Sequence, residues 1–98
     1  MNTLISDLLY IKRIIITVPS FTNGYTSSTY NAYLSSYKAI AIAGFDTLTT
    51  FVAIPQIYID TDTEILHYTL RRFYLETFSG QATADSRIAV YVLYMKIK

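Results

Sequence analysis

Residues 87–97, RIAVYVLYMKI, constrain the fold more than any other stretch of this chain. Ile88, Val90, Val92 and Tyr94 alternate with Ala89, Tyr91, Leu93 and Met95, so a strand here is apolar on both faces and needs cover on both. A chain of 98 residues buries only ~60–65% of its unfolded surface, which leaves little core to cover two faces from within. The expectation is therefore a contact between chains, with Val90, Val92, Leu93 and Tyr94 at the oligomer interface. The competing reading is a central core strand of a monomer. Composition leans toward the contact: 52% of the residues are hydrophobic and only 15% charged, with ten tyrosines and five phenylalanines.

Strand periodicity runs through most of the remaining sequence. In YIKRIIITV (10–18), Tyr10, Lys12, Ile14, Ile16 and Val18 share one face and Ile11, Arg13, Ile15 and Thr17 the other, and Pro19 ends the run. Asn23 and Gly24 signal a turn. TYNAYLS (29–35) and YKAIAIAGF (37–45) alternate; a further strand reads from Thr50 to Ile54, is interrupted at Pro55 by an edge or bulge, and resumes as QIYID. Residues 61–80, TDTEILHYTLRRFYLETFSG, fit two patterns. A helix would use Thr61 and Glu64 as a capping box and Gly80 as its stop. A strand would put Leu66, Tyr68, Leu70 and Tyr74 on one face and pair with residues 87–97 across SGQATADS. Residues 3–10 also read as a short helical turn. Short strands separated by Ser, Thr, Asn, Gly and Asp clusters indicate an all-β chain, a small antiparallel β-sandwich or jelly-roll-like domain. It reads as a single domain over 1–98, with 1–10 an amino-terminal arm or the remnant of a stalk.

Several function classes are disfavoured. There is no cysteine, hence no disulfide framework and no thiolate zinc site. Eight basic and seven acidic side chains are spread without runs, which argues against nucleic acid and against a polybasic membrane patch. No apolar stretch approaches the ~20 residues needed to span a bilayer. Asp7, Lys12 and Arg13 interrupt the amino-terminal apolar portion in the reverse of a signal peptide's order. The lone His67 has no cysteine partner and no G-x-S-x-G motif accompanies it. Glu64 and Glu76 would stand ~18 Å apart in a helix or ~40 Å in a strand, too far for paired glycosidase carboxyls. The run Asp60-Thr61-Asp62-Thr63-Glu64 opens like a calcium loop, but an EF-hand requires glycine and glutamate where this chain has Ile65 and Arg71. A solvated turn is the better reading. No enzyme activity, cofactor or metal is expected.

Residues 20–37, SFTNGYTSSTYNAYLSSY, carry four tyrosines and no charge. Tyrosine among Ser, Thr, Asn and Gly provides amphipathic contact area with few rotors and adaptable hydrogen bonds beside it, a composition that also suits sugar rings. The periodicity divides this stretch into an exposed turn, Asn23 to Ser28, and a strand, Thr29 to Ser35. Tyr25, Asn23 and Tyr33 are accordingly the expected ligand-binding residues, and Tyr30 and Tyr37 are expected to be structural.

The order of segments, IIITV, a Ser/Thr/Tyr-rich strand, LSSYKAIAIAGF, AIPQIYID and finally RRFYLETFSGQATADSRIAVYVLYMKIK, resembles the small β-sandwich domain that ends many bacteriophage and prophage tail-fibre or virion-fibre proteins. Tyr37, Lys38, Ala39, Ile40 and Gly44 agree with one strand pattern of that group, and Val90, Val92, Leu93, Tyr94 and Lys96 with its closing strand. Ser36 stands where the group usually has glycine. The resemblance covers residues 11–98. It implies a homotrimer that caps a fibre, presents loops to a host-surface receptor or glycan and contacts other virion proteins, with its last two strands forming a hairpin. On this reading the protein is a non-enzymatic component of a virion fibre or appendage. The alternatives are a monomeric bacterial carbohydrate-binding or adhesin module and a head or neck auxiliary structural protein.

Overall fold

The computed structural model describes residues 8–21, 24–49, 52–72 and 85–97. The described residues form six strands in chain order: β1 (Leu9–Val18), β2 (Tyr25–Asn31), β3 (Tyr37–Thr47), β4 (Val52–Asp60), β5 (Ile65–Arg72) and β6 (Ser86–Lys96). They form two three-stranded antiparallel sheets packed as a small β-sandwich. Sheet A has the order β1-β6-β3 and sheet B the order β2-β5-β4. Among the described strands, β4 and β5 are the one pair consecutive in the chain that lies in the same sheet; each other consecutive pair lies in different layers.

The core lies between β5 and β6, the central strands of their sheets. Leu66, Tyr68 and Leu70 of β5 meet Ile88, Val90, Val92 and Tyr94 of β6, and Ile14, Ile16 and Val18 of β1 close one side. One apolar face of β6 is thus core and both its edges are paired, with β1 and with β3, while Tyr91, Leu93 and Met95 of its other face stay partly exposed. Val90, Val92 and Tyr94, expected at an interface between protomers, are buried in this core, and Leu93 alone of the four lies on the outer face. Burying these aliphatic side chains contributes about 1.5–3 kcal/mol each.

Three further expectations change. Residues 65–72 form a strand, but β5 does not pair with β6 among the described residues; the expected terminal hairpin is replaced by two central strands that face each other across the core. Stacking the Leu66, Tyr68 and Leu70 face of β5 on the Ile88, Val90, Val92 and Tyr94 face of β6 takes both apolar faces out of water. The strand expected over 29–35 runs over 25–31 instead, paired along its length with β5, so Tyr25 to Ser28 of the expected exposed turn are strand, with Tyr25, Ser27 and Ser28 exposed on it. Leu9 and Tyr10, at the end of the stretch 1–10 expected as an arm, belong to β1; residues 1–7 lie outside the described residues.

Local chemistry explains the irregular points. Pro55 has no N–H to donate and sits on edge strand β4, where the register with β5 shifts between Ala53 and Gln56. Gly24 adopts φ 86°, as the Asn-Gly turn signal requires, and its carbonyl accepts the Arg72 N–H at 2.8 Å. Ser36, at φ 73°, and Glu64, at φ 59°, hold the same left-handed region without glycine's freedom. Glu64 has a compensation: its Oε1 accepts the Ala39 N–H at 2.9 Å and ties the β4–β5 turn to sheet A. Tyr94, 1% exposed, donates its hydroxyl to the Ala32 carbonyl and links β6 to the β2–β3 connection. Burial raises the Tyr94 pKa above the ordinary phenol value, and Tyr30, Glu64 and Tyr10 add to the shift.

Candidate functional site

Alternation along three paired strands assembles the outer face of sheet B. Register places Tyr25, Arg71 and Ala53 in one cross-strand row, then Ser27, Thr69 and Gln56, then Thr29, His67 and Tyr58, then Asn31, Ile65 and Asp60. Neighbouring rows are about 7 Å apart along the strands. The two central rows contain no carboxylate, lysine or arginine, and they line a shallow depression of about 250 Å³ together with Ser28 and Tyr68.

Within the depression the Tyr58 and His67 rings are stacked, 4.7 Å between centroids and 6° between planes. They are direct cross-strand partners, so backbone pairing itself sets the stack. Ser27 Oγ and Thr69 Oγ1 lie 2.7 Å apart and share a hydrogen bond. The β4 irregularity matters here. Counting regularly from Ala53 opposite Arg71, Pro55 would face Thr69 and Ile57 would face His67; the extra residue brings Gln56 and Tyr58 to those positions instead. A single bulge therefore turns Gln56 and Tyr58 outward and Ile57 and Ile59 toward the core.

The residues expected from sequence to bind a ligand are scattered. Tyr25, 63% exposed, stands on this face one row beyond the depression. Tyr33, also 63% exposed, lies in the β2–β3 connection, where its N–H is held by Asn31 Oδ1 at 3.0 Å. Asn23 lies outside the described residues. Tyr30, expected to be structural, is exposed, and Tyr37 packs against the core. The site residues missed by sequence reasoning, Gln56, Tyr58, His67 and Thr69, are the outward positions of alternating strands. Their polarity was visible; their meeting depends on the bulge and on the β2-β5-β4 order.

The acidic turn is occupied with its own backbone. Asp60 Oδ1 accepts the N–H of Asp62 at 2.9 Å and of Thr63 at 3.4 Å, as an Asx turn does. The described residues contain no cluster of His, Cys, Asp and Glu that could hold a metal ion. Arg71 and Arg72 point to opposite faces: Arg72 is buried, donates to the Phe21 carbonyl at 3.0 Å and lies over the Phe21 ring.

Sheet A presents a different outer face. Register aligns Leu9 with Met95 and Ile11 with Leu93 and Ala41, while Arg13 Nε donates to the Tyr91 hydroxyl at 3.2 Å. Ile11 is 57% exposed, and Ile15 and Met95 are also exposed. Comparison with protein-family models, curated proteins and solved structures gives no match for this chain.

Proposed function

We propose that the protein is a non-enzymatic bacteriophage virion component, a trimeric fibre or appendage tip that adheres to a host-surface receptor of glycan type. The observation that carries this reading is the contrast between the two outer faces. Sheet A offers exposed Ile11, Ile15 and Met95 beside partly exposed Leu9 and Leu93, a mainly apolar surface interrupted by Arg13 and suited to contact between copies. Sheet B offers, between Arg71 at one end and Asp60 at the other, a depression lined by hydroxyl, amide and aromatic groups, suited to a neutral polar ligand. The left-handed backbone at Ser36 supports the resemblance to fibre-tip domains, since it is a conformation that favours the glycine usual at that position.

The oligomer interface expected at Val90, Val92, Leu93 and Tyr94 is accordingly drawn around Leu93 and its neighbours on β1 and β6. Sedimentation velocity at micromolar concentration tests it: the expected species is three times the 11.2 kDa chain. A clean monomer would reject the trimeric tip. A second reading, a monomeric carbohydrate-binding module, is favoured by the use of Val90, Val92 and Tyr94 in the chain's own core. Glycan binding by a monomeric species would select it.

A further inference from the structure

We infer that the depression on the outer face of sheet B is a binding site for a single uncharged sugar ring, with Tyr58 and His67 as its aromatic wall and Ser27, Thr69 and Gln56 as its hydrogen-bonding groups. This rests on the adhesive reading above and places recognition at residues other than Tyr25, Asn23 and Tyr33.

A pyranose has apolar C–H faces and a rim of hydroxyls that both donate and accept. Its partner must supply an aromatic plane and groups of mixed donor and acceptor character. The Tyr58–His67 stack leaves one face of each ring outside the pair, and because the rings brace each other across β4 and β5 little side-chain freedom remains to be lost on binding. The Gln56 amide offers donors and an acceptor. The Ser27 and Thr69 hydroxyls spend one proton on each other and keep the second proton and free lone pairs for a ligand.

Charge and size narrow the class. Neither central row carries a carboxylate, lysine or arginine; Arg71 and Asp60 stand one row out at opposite ends. A phosphate or an acidic sugar would find no lysine or arginine within those rows to pair with. The volume of about 250 Å³ suits one ring rather than an extended oligosaccharide. So open a site binds weakly, with a Kd in the millimolar range, and three copies on one fibre would raise the avidity by orders of magnitude.

The test is an amide-resonance titration of the ¹⁵N-labelled full chain with methyl β-galactoside, methyl β-glucoside, methyl α-mannoside and N-acetylglucosamine, with N-acetylneuraminic acid as the acidic probe. At least one neutral sugar is expected to shift Gln56, Tyr58, His67 and Thr69 saturably. Tyr58→Ala should weaken that sugar at least tenfold and Gln56→Ala several-fold, while Tyr25→Ala changes it less than twofold. Gln56 is exposed, so its variant carries the test should Tyr58→Ala melt early in circular dichroism. Shifts confined to Tyr25 or Tyr33, or tighter binding of N-acetylneuraminic acid than of every neutral sugar, would overturn the site and leave the adhesive reading standing. No response to any sugar from a chain that sediments as a trimer would overturn the site and leave the assembly standing.

Discussion

Tyr94→Phe removes one hydroxyl and nothing else from the core. The ring is 1% exposed and its packing partners, Tyr10 at 6.2 Å and Tyr37 at 6.3 Å between centroids, are retained by phenylalanine. The loss is the hydrogen bond to the Ala32 carbonyl, which belongs to a residue only 2% exposed and keeps its desolvation cost once the donor has gone. Such a loss costs about 1–2 kcal/mol. For a domain of this size that lowers Tm by roughly 5–15 °C. Thermal melts by circular dichroism read it directly, with Tyr33→Phe, an exposed tyrosine on the same connection, expected to shift Tm by no more than about 1–2 °C. An unchanged Tm for Tyr94→Phe would refute the claim that this bond anchors the β2–β3 connection to β6. The same variant has a pH signature. Burial raises the folded-state pKa above the unfolded value of 10.0, so the Tyr94 contribution is fully present below about pH 10 and is lost as pH rises through the folded value. Alkaline melts of the parent chain should therefore fall more steeply above pH 10 than those of Tyr94→Phe.

Glu64→Ala deletes the acceptor of the Ala39 N–H and should destabilise by about 1–2 kcal/mol, whereas Glu64→Gln keeps an acceptor and should recover at least half of that in urea titrations. Ser36→Gly relieves a left-handed backbone and should stabilise by about 0.5–1 kcal/mol, measurable as a raised Tm. Val92→Asp places an unpaired charge in the inter-sheet core and should unfold the chain, while Leu93→Asp, on the outer face of sheet A, should keep native circular dichroism and dissociate any oligomer. Unchanged sedimentation after Leu93→Asp would remove that face from the interface.

Alternation in the amino-acid sequence determined a good deal. It identified the strand character of β1, β3, β4 and β6, placed an irregularity at Pro55, marked the turn at Gly24 and set Arg71 and Arg72 on opposite faces, because these follow from local sterics and a two-residue period. It left residues 61–80 divided between helix and strand, since the polar spacing there satisfied both periods; the fold resolves Ile65–Arg72 as strand by pairing it on both edges. Strand order was beyond any local pattern. Whether β6 pairs with β5 or stacks on it depends on which apolar faces bury the most surface together, a sum over the whole chain. That same choice turned Val90, Val92 and Tyr94 from expected interface into core. The candidate site is the clearest case. Tyr58 and His67 are nine positions apart in sequence, and they stack only because an extra residue at Ala53–Gln56 shifts β4 by one and turns its alternate side chains to the other face.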